Sequence, residues 1–480
     1  YIDLPDWMLD NYNKSVETYR YVVRVPIKTD IRYRSVNFNL SPIIDSTASE
    51  KKYTWEANNV KSTSYQSGGF ELSSYLPQVE VAPTVFQYDG YKGSFHNWAE
   101  YGQWSYALYE ERTPINKQRV SEITEMIKGQ PDVKSKVGVL YDYLKRNARY
   151  VSIQLGIGGF KPFPVKFVDE KKYGDCKALT NYMRNLLQVA GITSYPALIN
   201  AGYDSKPVDP AFPTHAFNHV ILCVPNNADT IWLECTSNDH EAGFLGSFTE
   251  NKNALLLTEN GGIMVRTPSS QYQKNRTASN TEISINEDGS GHASKNLFSS
   301  GDMASIYQAI KKMEPDDQKE YFIRSLNYMA ADHFMLEDLK SNYDDGLKLS
   351  LEFEKLYDFK AGNKYFFPQK LNRLINFELK DEERQIEYIL EFPFEKADTT
   401  VFILPASMSI EELPASRELN IDFAIYKKHI SYDAKENKVT VVSALCFKKN
   451  IISPSEYKTL LSFHKAVRED EDVKLVLKKK

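Results

Sequence analysis

Cys176, His219 and Glu234 are the residues of this chain whose types and order could share one piece of chemistry. Acyl transfer through a sulfur nucleophile needs an imidazole to take the thiol proton and a carboxylate to fix the imidazole tautomer. Cys176 stands in Tyr173-Gly174-Asp175-Cys176-Lys177-Ala178-Leu179, a turn running into a helical pattern. From Leu179 onward, Leu179, Met183, Leu186 and Leu187 recur on one face of a 3.6-residue period, and Gly191 after Ala190 reads as the stop. Asp175 is the expected N-cap, its carboxylate accepting orphan backbone N–H groups of the first turn. Cys176 then falls in that first turn, where the partial positive charge of a helix N-terminus favours thiolate over thiol. A lone cysteine is more often a buried, inert one, so the case rests on its companions.

Two predicted strands, 218–224 and 230–235, supply them. Between the strands runs Pro225-Asn226-Asn227-Ala228-Asp229, a turn sequence. A loop over 225–228 pairs Val224 with Asp229 and sets His219 directly opposite Glu234, Cβ atoms about 5 Å apart. A loop over 226–229 leaves the two diagonal on the same face. Only an odd slip, as with a five-residue loop, separates them. The same parity puts Ile221, Cys223 and Trp232 on the face of the pair. Val220, Leu222, Val224, Leu233 and Cys235 fall on the other, core-like face, so Cys223 and Cys235 point apart.

Acyl transfer also needs donors for a developing oxyanion. The backbone N–H of Cys176 is one, and Gln154, on a predicted strand over 150–155, is the candidate for the second. Trp232 is expected to pack against the histidine–acid pair. A zinc site built from His215, His219, Cys235 and His240 is a weaker reading. Residues four apart share a face in this way on a helix, and 218–224 reads as strand with no His-Glu-x-x-His pattern. Neither a metal nor an organic cofactor is expected.

These residues need a scaffold. The chain has 480 residues, 42% of them hydrophobic, enough for several buried cores. A net charge of −5 argues against a nucleic-acid or anionic-membrane partner, and no apolar run reaches the length of a membrane span. Four cysteines are too few for a disulfide framework. Thirty-one tyrosines and 25 phenylalanines favour extensive β structure. The chain opens on Tyr1 rather than Met, so either a signal peptide has been removed or the ends have been trimmed.

Residues 1–101 read as a sandwich-like β domain, with strands near 19–25, 31–38, 52–57 and 79–86. Residues 102–270 read as α+β: helices near 115–127 and 133–144, a loop through Gly156–Gly159, Pro162 and Pro164, the cysteine helix, then strands near 194–201, 218–224, 230–235 and 254–257. Residues 271–395 read as a mixed α/β domain, with a hairpin around Asp288-Gly289, two helices, and strands near 347–353 and 385–392. Residues 396–480 are mainly β, with strands near 400–404, 419–426 and 439–445. One helix there starts at Ser453, Pro454 and Glu456, a capping box with proline at the first helical position. A terminal strand over 473–477 ends in a frayed Lys478–Lys480 tail. The fold class expected is therefore multidomain α+β.

Tyr-Gly-Asp-Cys-Lys at 173–177, Asn-His-Val at 218–220 and Trp-Leu-Glu-Cys-Thr at 232–236 resemble the three signature segments of the transglutaminase-like superfamily, most strongly over 135–260. The whole chain more loosely resembles secreted bacterial proteins that carry this core between flanking β domains. The resemblance implies a papain-like central fold, with Cys176 as nucleophile, His219 as general base and Glu234 as the acid, where the family usually has Asp. It implies a secreted or periplasmic cysteine protease or amidase acting on a peptide or protein amide. The alternatives are a transamidase using the same triad, and a non-catalytic cell-envelope scaffold that keeps the core only as a fold.

Overall fold

The computed structural model describes residues 2–64, 66–110, 115–340 and 345–480. They form two compact units, Tyr1–Ser269 and Ser270–Lys480. The expected divisions at 101/102 and 395/396 fall inside these units.

In the first unit the site is carried by five helices and a five-stranded antiparallel sheet. The helices are α1 (Trp98–Tyr109), α2 (Lys117–Met126), α3 (Val133–Asn147), α4 (Val165–Lys171) and α5 (Cys176–Val189). The strands are β1 (Tyr195–Ile199), β2 (His219–Asn226), β3 (Asp229–Leu233), β4 (Asn253–Thr258) and β5 (Gly261–Arg266), in the spatial order β3-β2-β1-β4-β5. The order of helices first and antiparallel sheet afterwards is the one the hydrophobic pattern implies. The apolar face of α5 (Leu179, Met183, Leu186 and Leu187) is buried with Val137, Leu140 and Leu144 of α3 and with Leu222, Val224 and Leu233 of the sheet. Each such side chain contributes on the order of 1.5–3 kcal/mol by leaving water, so α5 is held mainly by this face.

Three departures from expectation bear on the site. Helix α1 occupies a stretch whose aromatic content favours strand. Its Trp98, Tyr101, Trp104, Leu108 and Tyr109 instead fall on one buried helical stripe, and Asn97 caps it by accepting the Glu100 N–H at 2.9 Å. The helix crosses the β4–β5 hairpin so closely that a Cβ on Gly102 would lie 2.2 Å from Gly262 Cα, and Gly261 holds φ at +109°. The second departure is α4, whose seven residues are too few to show a period. The third is the strand expected over 150–155, which shrinks to Arg149–Tyr150 and pairs in parallel with Tyr173–Gly174.

Besides a hairpin of Val85–Tyr88 with Tyr91–Ser94, the remainder of this unit holds two three-stranded sheets. One orders Val16–Pro26, Glu50–Val60 and Ile43–Ser46; the other orders Trp7–Met8, Gln78–Pro83 and Ile31–Val36. Val23, Val25, Tyr53 and Trp55 of the first share an apolar cluster with Trp7, Val79 and Val81 of the second. That is the two-layer arrangement expected of alternating β-rich sequence.

The second unit is built on an eight-stranded sheet whose centre pairs Arg276–Ile285 with Phe394–Ile403 in parallel. A boundary at 395/396 would cut that central strand. The Asp288-Gly289 hairpin forms as expected. The helix Pro454–Asp472 opens with the full Ser453/Glu456 capping box. The strand expected over 419–426 is instead a hairpin turning between Ile421 and Ala424. Of 385–392 only Tyr388–Ile389 is strand. The C-terminal lysines are not frayed: Lys478 pairs with Lys364, and Lys479 with Met408.

Candidate functional site

Cys176 is the first residue of α5. Asp175 caps the helix, accepting the Ala178 N–H on Oδ1 at 2.9 Å. Its other oxygen holds the Lys177 Nζ at 2.6 Å, with both side chains almost wholly buried. Gly174 is required by packing, since a Cβ there would come within 2.8 Å of the Ala178 methyl. The Tyr173–Gly174 bridge then ties the start of α5 to the chain leaving α3, where Val151 donates to the Gly174 carbonyl at 2.9 Å. The sulfur is therefore placed by a cap, a close approach and a bridge, all within three residues.

His219 opens β2 opposite Ile199. The preceding Asn218 acts as a side-chain extension of the sheet. It accepts the Ala201 N–H at 2.7 Å and donates to the Ala201 carbonyl at 3.0 Å, which fixes the backbone that presents the imidazole. Asn218 belongs to the Asn-His-Val segment, where the sequence signal for this role is a polar amide at the mouth of an apolar strand.

Glu234 follows the last residue of β3. The hairpin pairs Asn226 with Asp229 and Cys223 with Trp232, turning through Asn227 at φ +55°. This is the diagonal register of the two considered, not the directly opposed one, which the Val224–Asp229 pairing would have required. Continued past Leu222–Leu233, it sets Thr236 across from His219 and Glu234 two residues nearer the turn. The extra methylene of Glu relative to Asp spans that diagonal, and Glu234 Oε2 reaches His219 Nε2 at 2.8 Å. Thr236 donates its N–H and its hydroxyl to the other oxygen, at 3.0 and 2.5 Å. Tyr141 of α3 donates to the Glu234 carbonyl at 2.6 Å. Neither of these two supports was foreseen.

With Nε2 held by Glu234, Nδ1 is the ring nitrogen available to Cys176, which lines the same cavity. Burial works to lower the imidazole pKa. The Glu234 charge, hydrogen bonding with Cys176 and to the Glu234 carboxylate, and the Cys176 charge outweigh it, and His219 is pushed up from 6.5 to about 10. Burial likewise works to raise the Glu234 carboxyl, but the His219 charge and the Thr236 hydrogen bonds hold it below its usual range. The two directions agree: each partner favours the charged form of the other. By contrast, burial alone pushes the Cys223 thiol up to about 11.

Cys176, His219 and Gln154 line one cavity of about 370 Å³. Gln154 is exposed and lies on irregular backbone, not on the expected strand. Trp232 does not line the cavity; it packs with Ile221, Cys223, Ala197 and Leu245. Both faces of the β2–β3 hairpin are thus covered, since Leu222, Val224, Leu233 and Cys235 lie in the helix-side core. His215 lines the cavity, 3.4 Å from Asp3, whereas His240 packs on Phe244. Among the described residues no three His, Cys, Asp or Glu side chains gather closely enough to hold a metal ion.

A family profile described as a domain of unknown function with solved structure, DUF3858, matches residues 363–477, which lie wholly in the second unit. No curated protein is matched by sequence. Among solved structures, a putative protease from Parabacteroides distasonis ATCC 8503 is similar with a TM-score of 0.60 at 13% identity, over 98% of this chain and 74% of that one. The chain therefore shares that protein's multidomain α+β fold. A putative cysteine protease from Cytophaga hutchinsonii is matched at 10% identity and a TM-score of 0.22, over 54% of this chain and 78% of that one. The periplasmic domain of TgpA from Pseudomonas aeruginosa is matched at 13% identity and a TM-score of 0.20, over 49% of this chain and 76% of that one.

Proposed function

We propose that the protein is a cysteine hydrolase, a protease or amidase, that works through Cys176, His219 and Glu234 and a thioester acyl-enzyme. The observation that supports this reading is that Cys176 and a carboxylate-held His219 line one cavity. A cysteine at a helix N-terminus shares that cavity with an imidazole whose Nε2 is held at 2.8 Å by a buried carboxylate. The fold shared with a protein named as a protease is in keeping with it.

In this mechanism His219 Nδ1 holds the proton that the Cys176 thiol gives up. The sulfur attacks the carbonyl carbon and the carbonyl π-electrons move to oxygen. The resulting oxyanion is received by the Cys176 N–H, unsatisfied at the helix start, and by the Gln154 side-chain amide at the cavity wall. His219 then passes its proton to the amine as the C–N bond breaks, leaving the thioester. Water enters, gives a proton to Nδ1 and attacks the thioester carbonyl. The acid leaves and the sulfur is regenerated. Glu234 keeps the ring oriented and stabilises its cationic form throughout, while Thr236 and Tyr141 keep Glu234 in place. A secreted or periplasmic location is in keeping with the resembled group. No helix among the described residues is long and apolar enough to cross a membrane.

The test is a peptide-library digest comparing wild type with Cys176→Ala. Cleavage products present only with the wild type support the assignment. Identical product sets from the two proteins overturn it.

A further inference from the structure

The walls of the Cys176 cavity say which acyl group it admits. Leu108 and Tyr101 of α1, Phe160 of the loop before α4, Leu198 of β1 and Phe217 give it an aliphatic and aromatic lining. No carboxylate and no guanidinium lines it among the described residues. The basic side chains that do already have partners: Lys177 is held by Asp175 at 2.6 Å and His219 by Glu234 at 2.8 Å, and His215 lies 3.4 Å from Asp3. A charged substrate side chain entering here would lose its hydration and meet no free opposite charge. At about 370 Å³ the cavity has room for one large side chain beside the sulfur.

One wall residue is not apolar at its tip. Tyr109, at the C-terminal end of α1, is 2% exposed, lines the cavity, and has a hydroxyl without a hydrogen-bond partner. Its phenol shares the cavity lining with Cys176, whose charge acts on it. A buried hydroxyl left unpaired is a standing cost that an arriving polar atom can relieve.

We propose that this cavity is the specificity pocket for the residue that bears the attacked carbonyl. It takes a bulky uncharged side chain, and it prefers one ending in a hydroxyl, as tyrosine does, because the Tyr109 hydroxyl meets that end. The inference rests on the hydrolase reading above. The acyl residue is the part that becomes bound to Cys176, so its side chain is the one held within reach of this cavity.

The experiment uses the full chain and a panel of acetyl-X-chloromethyl ketones with X = Tyr, Phe, Leu, Asp or Lys. The sulfur displaces chloride from the methylene carbon, and the adduct on Cys176 is read by mass, normalised to iodoacetamide. The matching acetyl-X-aminomethylcoumarin amides are assayed alongside. Labelling is expected to be fastest for Tyr, about fivefold ahead of Phe, the worth of one net hydrogen bond. It is expected to be on the order of a hundredfold slower for Asp and Lys. In Tyr109→Phe the Tyr-to-Phe ratio falls to about one. Equal labelling by Asp, Lys and Tyr reagents overturns the pocket, as does a Tyr-to-Phe ratio unmoved by Tyr109→Phe. Ordered labelling without turnover of any amide leaves the pocket standing and removes the hydrolase.

Discussion

Replacing Glu234 by Gln keeps the shape of the side chain and removes its charge. In the native protein that charge and its hydrogen bond do most to lift His219 from 6.5 to about 10 against a burial that works the other way. Without it the buried ring is expected to be neutral at neutral pH, because burial then dominates. Breaking a buried ion pair from one side costs about 3–5 kcal/mol when the partner stays charged, and that is the ceiling for the loss of stability here. The pH dependence follows from the two directions. His219 is raised, so its contribution is complete below pH 6.5 and disappears as pH climbs through about 10. Glu234 is lowered, so its contribution is complete above pH 4.5 and fades as pH falls through its depressed value. The stability gap between wild type and Glu234→Gln is therefore widest at about pH 4.5–6.5 and closes as pH climbs through about 10. On amide substrates kcat/KM should fall by about a hundredfold to ten-thousandfold, and the alkaline limb, near pH 10 in the wild type, should move to lower pH. Urea denaturation at a series of pH values, with kcat/KM profiles on the same preparations, measures both. A variant within threefold of wild type, with an unmoved alkaline limb and a pH-independent stability gap, would refute the reasoning.

Two further perturbations probe how the site is held. Asp175→Asn keeps a capping oxygen but leaves the Lys177 ammonium buried and unpaired, so urea denaturation should show a loss of about 3–5 kcal/mol. The double variant Asp175→Asn, Lys177→Met should recover much of it; no recovery argues against the ion pair as the cause. Gly102→Ala drives a methyl into the Gly262 backbone, so thermal unfolding should register a loss of about 1–3 kcal/mol or more. An unchanged melting temperature would mean that α1 and the β4–β5 hairpin move apart freely.

What could be read from the chain was what a few adjacent residues decide. The Asp175 cap, the α5 stripe ending at Gly191, and the Ser453–Pro454–Glu456 start each depend on contacts within a turn or two of helix. Parity along the hairpin was legible for the same reason, so His219 and Glu234 could be assigned to one face. Their register was not. Moving the turn by one residue preserves parity, and the choice falls to Asn227, which adopts positive φ and draws Asn226 and Asp229 into pairing. Helix α1 was hidden because tryptophan and tyrosine suit a sheet as well as a buried helix, and its close crossing depends on glycines 160 residues away in sequence. The supports from Tyr141, Thr236 and Asn218 are tertiary or depend on side-chain direction, and no spacing rule announces them. Strand boundaries in the second unit failed where a tight turn at Asp422-Phe423 splits a β-rich run without a glycine to mark it.

The account stands on the sulfur of Cys176 being coupled to the imidazole of His219. The most direct measurement is the rate at which iodoacetamide labels Cys176 near neutral pH, the adduct mapped by mass, in wild type and in His219→Ala. The account requires labelling well above that of a free thiol in the wild type and its loss in the variant. Labelling of Cys176 no faster than a free thiol, or unchanged when His219 is removed, would contradict it.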